Sequence, residues 1–342
     1  MEALAGALTI ELIISKVLGL LDHRAVQFTL IAVVFIPLER LVPFHAGQRL
    51  FRRYFGLDLL HYFVGGVFII VFVWLTYRLM PTISAWVDIH PAALSVRDLP
   101  WWGQILVFEA GWTFLGYWLH RFEHVWLPLW RLHSIHESSK ELDWLSAFRL
   151  HPLEPALFQV LTVVPLWFFG MDLPVAIGYK VYSYVFAHIQ HSNIVLPIGP
   201  LKYVLPTPQF HRWHHACVYD ADGRRQRSFC NFSQYPLWDQ LFGTFYLPDM
   251  SPTAYGNARN VPMDYLAQLA YPFGGHQAVL AWQRSLSERL QLSGRIAAVR
   301  AAIAPAHDAL EDRLARLSLL RPASNAGSAF VAKRPIAEKE VS

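Results

Sequence analysis

The stretch TPQFHRWHHACVYD places three imidazoles, His211, His214 and His215, within five residues. Upstream, HRFEH sets His120 and His124 four apart, so that on a helix both project from one face. HSIHE sets His133 and His136 three apart with Glu137 next, and HIQH does the same for His188 and His191 at the end of an apolar stretch. Of sixteen histidines, ten lie between His120 and His215, a window under a third of the chain. A lone histidine near a helix end is usually a hydrogen-bonded structural residue, but pairs at helical spacing on several segments read as converging metal ligands. Eight or so imidazoles exceed what one ion takes. A dinuclear site accommodates them with positions left open, and iron supplies the redox change that zinc lacks.

The elements that would carry these residues are apolar. Of 342 residues, 54% are hydrophobic, 15% aromatic and only 16% charged, and mean hydropathy is +0.28, which points to lipid. Thirteen Trp and fourteen Tyr suit the boundary between hydrocarbon and water. Residues 58–78 predict the strongest membrane span, and an apolar run at 25–44 precedes it. Arg49, Arg52 and Arg53 between the two predict a cytoplasmic connection. Residues 81–100 then read as a short outer loop, 101–119 as the return, and 155–170 with 173–190 as a hairpin that either crosses or dips into the bilayer. Both histidine groups would thus meet on the cytoplasmic side. The opening segment, with Glu2 and Glu11 and no basic n-region, reads as a helix of the mature chain.

The segments GYWLHRFEHVWLPLWRLHSIHES, FRLHPLEP, HSNIVLPIGPLKYVLPTPQFHRWHH and LWDQLFGTF, in this order, resemble the fatty acid hydroxylase and sterol desaturase superfamily of integral-membrane, non-haem diiron enzymes. The resemblance covers about residues 110–247. It implies an all-α membrane helical bundle with a cytoplasmic, histidine-rich dimetal cap. It also implies two iron ions (Fe2+/Fe3+), O2 as co-substrate and hydroxylation or desaturation of an unactivated C–H bond of a lipid. His120, His124, His133, His136, His191, His211, His214 and His215 are the ligands it implies. His188 is a ninth candidate, because the partner of the histidine matching His191 varies in presence and spacing.

This chain departs from the family pattern at two main places. Glu137 stands where relatives have the last histidine of HxxHH, and reads as a ligand, as support for one, or as a surface residue beside a weaker metal position. Asp143 stands where relatives more often have Asn. Asp143, Arg149 and His151 read as hydrogen-bond partners of ligand imidazoles, or, for the first two, as a solvated ion pair. Asn231 lies where relatives commonly have Asn-Tyr-Gly, here followed by Phe232 and Ser233, so the turn beside the site should change. Asp239 and Gly243 read as packing residues, and Trp213 and Trp238 as interfacial anchors or channel borders.

These readings divide the chain into membrane helices at 1–100, a catalytic domain at 101–250 and a tail at 251–342. The tail is Ala-, Arg- and Leu-rich, and its amphipathic helix is interrupted at Pro305, lying on the membrane or on the catalytic region. Electrons require an external ferredoxin, cytochrome or reductase, since GxGxxG, CxxCH and an Fe–S cysteine set are missing. Cys217 and Cys230 are too few for a disulfide framework. The +4 charge is dispersed, which argues against nucleic acid. A zinc protease would need the HExxH that HESSK lacks. A membrane haem protein or a non-catalytic metal-binding protein is the alternative reading.

Overall fold

A computed structural model describes residues 23–86, 95–158, 160, 169, 173–216, 218, 219, 225, 226, 229–252, 254–257, 261–289 and 292–316. The opening helix, Cys217, most of the 155–170 arm and the last part of the tail lie outside the described residues. The described residues are mostly helical. Among them, extended pairing is confined to Val218–Tyr219 against Arg225–Gln226 and to two isolated bridges, Pro43 to Ile194 and Ala216 to Tyr255.

Helix α1 occupies residues 23–41. Helix α2 runs from Phe55–Leu60 through a π-helical turn, His61–Gly65, into Gly66–Trp86. Its stretch Phe55–Ile83 is, among the described residues, the one helix long and apolar enough to cross a membrane. The expected loop from residue 81 starts later, because α2 continues past Pro81 to Trp86. One proline removes one ladder bond, and the apolar residues around it gain by keeping the others. The π turn has a visible cause. Arg24 of α1 donates to the Tyr62 carbonyl at 2.9 Å and lies 4.0 Å over the Tyr62 ring, and Gly66 leaves the room: a Cβ there would meet Arg24 Nε at 2.3 Å.

Helix α3 (Trp101–Val125) turns at Trp126 into the short α4 (Leu127–His133), whose Pro128 suits a first turn that needs no N–H. Helix α5 (Leu173–His191) packs on α3 through Phe108 and Tyr179, with Trp112 and Tyr182 around them. A second core joins α1, α2 and α5 to the Ser146–Phe148 turn through Phe35, Tyr62, Trp144 and Leu145. Toward the outside, α3 exposes Trp101, Trp102, Leu106 and Phe122, an apolar surface of the sort lipid covers.

Helix α6 (Pro208–His214) is capped by Thr207, whose hydroxyl accepts from Phe210 N at 3.2 Å. After α7 (Pro236–Leu241), helix α8 (Tyr265–Ala270) is capped by Asp264, which accepts from Ala267 N at 2.9 Å. Helices α9 (His276–Arg289) and α10 (Leu292–Arg316) follow. The expected interruption at Pro305 is not seen: α10 runs through it, with alanines at 301, 302, 304 and 306 holding the helix around the lost bond. Helix α10 docks on the α1–α2 connection. Glu311 accepts from Leu50 N at 2.9 Å and Phe51 N at 2.5 Å, and Asp308 pairs with Arg49 at 2.8 Å.

Candidate metal centre

Four pieces of chain bring the imidazoles together: the last turns of α3, the end of α4 with the turn His136–Ser138, the last turn of α5, and α6. They form two groups, each with its donor atoms within 4.8 Å of one another. The first holds His120, His124, His133, His214 and Glu137, the second His136, His191, His211 and His215. Neighbours in sequence part company here. His133 and His136 go to different groups, as do His214 and His215, so α6 and the α4 turn each serve both.

Three of the outer nitrogens are held by hydrogen bonds to backbone carbonyls. Nδ1 of His120 donates to Phe232 O at 2.6 Å, that of His214 to Cys230 O at 2.8 Å, and that of His191 to Ala187 O at 2.9 Å. A neutral imidazole has one N–H, so in these rings Nε2 carries a lone pair. Those nitrogens point inward, toward the inner donor atoms of neighbouring residues. In the second group, His191 Nε2 stands 3.1 Å from His136 Nε2 and 2.9 Å from His211 Nε2, which is 3.0 Å from His215 Nε2. In the first, His120 Nε2 is 3.0 Å from His133 Nε2, and His214 Nε2 faces Glu137 Oε1 at 2.7 Å without hydrogen-bond alignment. Lone pairs and a carboxylate aimed at a common point repel unless a cation sits between them. Metal–imidazole bonds of about 2.1 Å meeting at a right angle would separate two nitrogens by about 3.0 Å, so the donors fit metal ions.

Burial, followed by the neighbouring imidazoles, holds His120, His136 and His211 well below the ordinary histidine range. His191 is likewise held well below it, by burial and then His215. Burial brings His124 down to about 3, and His215 is also lowered. Neutral rings are the ligating form. His133 differs: burial opposes its charge, but Glu154 and Glu123 outweigh it and raise the ring well above its usual value. Glu137 is held well below the carboxylate range, burial being overcome by His215 and His214.

The residues expected to support the ligands are distributed otherwise. Asp143 and Arg149 are not a solvated pair; both are buried and each reaches past the other. Arg52 pairs with Asp143 at 2.6 Å and Asp58 at 2.5 Å, and Arg149 pairs with Asp58 at 2.5 Å, because the connection before α2 and the first turn of α2 bring Arg52 and Asp58 into the space between them. His151 accepts from Leu153 N at 3.2 Å through Nδ1 and donates to Leu269 O at 3.2 Å through Nε2. His188 stands outside both groups, its Nδ1 donating to Trp144 O at 2.8 Å and its ring packed on Phe148 and Tyr184. Asn231 takes a left-handed conformation (φ 57°), donates to Phe210 O and Tyr246 O, and accepts from Tyr246 N. The carbonyls on either side of it, Cys230 and Phe232, are the ones that hold His214 and His120. Asp239 fastens the same turn by accepting from Phe232 N and Ser233 N.

Sequence reasoning missed Glu123 and Glu154, which gather at the outer face of His133, with Glu154 Oε1 2.8 Å and Glu123 Oε2 3.7 Å from its Nδ1. The signal was present in HRFEH and HPLEP, where a carboxylate adjoins each histidine motif. The two carbonyls beside Asn231 have no signal in residue type.

Residues 105–244 match the fatty acid hydroxylase family model. An ornithine lipid hydroxylase from Rhizobium tropici is 35% identical over 159 residues, which is 46% of this chain and 46% of that protein. An alkylglycerol monooxygenase from Danio rerio is 30% identical over 181 residues, 46% of this chain and 34% of the relative. A very-long-chain aldehyde decarbonylase from Oryza sativa subsp. indica is 32% identical over 165 residues, 42% and 24% of the two chains. Residues 105–244 are a fatty acid hydroxylase domain.

The matches span less than half the length of these relatives. No solved structure matches the chain. Both donor groups lie wholly within the fatty acid hydroxylase domain, and the part of the chain before it braces them. Glu39 of α1 accepts from Trp144 N and Asn193 N, each at 2.8 Å, and so fastens the segments that follow the α4 turn and α5. Buried Arg212 donates to Ser192 O and Tyr255 OH, fixing α6 to the end of α5.

Proposed function

We propose that this chain is a membrane-bound, O2-dependent lipid hydroxylase whose two donor groups each hold one iron ion. The observation that carries this reading is the inward convergence of imidazole nitrogens in two adjacent groups, with the outer nitrogens of His120, His191 and His214 already committed to carbonyls. His120, His124, His133, His214 and Glu137 would hold one ion, and His136, His191, His211 and His215 the other. When bound, the pair supplies the redox chemistry that activates O2 with electrons from an external ferredoxin, cytochrome or reductase. The site is in keeping with the substrates named for the relatives, an ornithine lipid and alkylglycerols.

The chain's own contribution is placement. A cavity of about 150 Å³ lies between α3 and the 232–234 segment, and His120 of one group and His211 of the other both line it. Trp112, Phe158 and Phe232 give it apolar walls, while Thr113, Gln190 and Gln234 give it polar ones. A substrate C–H bond held there meets both groups at once, and the rings limit access of water. Gln190 Nε2 donates to Gln234 O at 3.2 Å and steadies the wall. Bilayer residence is supported by the length and apolar character of α2 and by the apolar outer face of α3. The cytoplasmic side is supported by Arg49 and Arg53 in the α1–α2 connection.

The reading is tested by lipid analysis of cells with and without the gene, followed by turnover of purified protein with the lipid that accumulates, O2 and a reductase system. A hydroxylated lipid lost on deletion and formed in vitro is expected. A desaturated product would move the assignment to desaturation, and full turnover with NAD(P)H alone would remove the external donor. Metal without O2 consumption would favour a metal-binding protein, and a Soret band a haem protein.

A further inference from the structure

Glu137 occupies the position where the superfamily motif carries a histidine, and its surroundings differ from those of a replaced ligand that has simply turned away. Its side chain is buried, lying between the two donor groups. Oε1 faces the first group, 2.7 Å from His214 Nε2, 3.4 Å from His133 Nε2 and 3.6 Å from His124 Nε2. Oε2 faces the other way, 3.3 Å from Nδ1 of His215 but without hydrogen-bond alignment, and the Nε2 of that ring belongs to the second group. The turn His136–Ser138 produces this division: adjacent residues on a tight turn point apart, and His136 goes to the second group while Glu137 goes to the first. Ser138 Oγ donates to Ile135 O at 2.6 Å and fixes the turn.

We propose that Glu137 is an oxygen donor to the metal of the first group and, through its second oxygen, the acceptor that orients His215 toward the metal of the second. A histidine at this position could supply a nitrogen to one ion but could not accept a hydrogen bond on its far side while its own outer nitrogen is protonated. The carboxylate does both, and it places one negative charge between two divalent cations, which offsets the cost of burying it among rings. The first position thereby has four nitrogens and one oxygen and the second has nitrogens alone, so the two ions are chemically unequal. This inference rests on the two-iron reading above.

The test uses the full-length protein, purified in detergent and loaded with 57Fe, with iron counted per chain and Mössbauer spectra recorded. Wild type is expected to hold two irons with two distinct quadrupole doublets. Glu137→Ala is expected to hold about one, with the remaining doublet shifted because His215 has lost its acceptor. Glu137→His restores a donor: two irons are expected, with the first doublet moved by the change from oxygen to nitrogen. If Glu137→Ala does not fold, Glu137→His and Glu137→Gln decide the matter by the same spectra. Two irons with both doublets as in wild type, in any folded variant, overturns the proposal. Wild type without iron instead defeats the two-iron reading itself, a separate result.

Discussion

At the scale of single residues, the site depends on which nitrogen of each ring is spoken for. Glu154 takes the outer nitrogen of His133 at 2.8 Å, and buried carboxylate–imidazole pairs of this type set tautomer and basicity. Glu154→Gln is therefore expected to weaken metal binding by roughly 10–100-fold while leaving the fold in place, measured by competition with a chelator. Asn231 acts through the backbone. Alanine there loses both carbonyl partners and is strained at φ 57°, so a loss of about 3 kcal/mol is expected in thermal unfolding. Asn231→Gly, which relieves only the strain, should recover part of it. Acid should act on the metal-free protein in a definite direction. His45, at about 4 because of burial and then Arg212, and His124, at about 3, bind protons in the unfolded chain near pH 6.5 but in the fold only far below it. The unfolded state thus binds more protons in this window. The contribution of these two rings is complete above about pH 6.5 and is lost as pH falls from there to about 4 for His45 and about 3 for His124. An acid-induced fall in melting temperature that is the same size in His45→Gln as in the wild type would contradict this.

Elements position the site through a few buried charges. Arg52 joins Asp58 of α2 to Asp143 after the α4 turn, and Asp58 also holds Arg149. Removing one member leaves uncompensated charge in the interior, so Arg52→Met is expected to cost roughly 3–5 kcal/mol, whereas a Lys substitution should retain more stability. Gly66→Ala would push the Arg24 guanidinium off the Tyr62 carbonyl and is expected to cost roughly 1–3 kcal/mol in thermal unfolding. The histidine pairs were legible because i, i+3 and i, i+4 spacing puts side chains on one side of a short helix. Their allocation was not: whether His214 and His215 share a group or split depends on what faces them across the cavity, and that is set by residues far away in sequence. Asp58 was hidden for a similar reason, reading as the polar edge of a span rather than as the centre of an ionic network.

For the molecule as a whole, apolar composition and histidine clustering indicated a mostly helical protein, and the expected stretch 58–78 falls inside the longer helix α2, Phe55 to Trp86. An outer loop from residue 81 and an interruption at Pro305 are what local sequence favours, whereas α2 continues to Trp86 and α10 runs through Pro305 because the surrounding helix retains its form. Helix α10 could not be placed from sequence, since its docking depends on Glu311 meeting two backbone N–H groups at 50 and 51, and such acceptors have no sequence pattern. The central claim concerns the two donor groups. Crystals or frozen grids of iron-loaded, full-length protein can show the ions directly, and anomalous diffraction at the iron edge identifies the element. Two peaks are expected, one enclosed by His120, His124, His133, His214 and Glu137, the other by His136, His191, His211 and His215. A single peak, or none between those rings, would contradict the account.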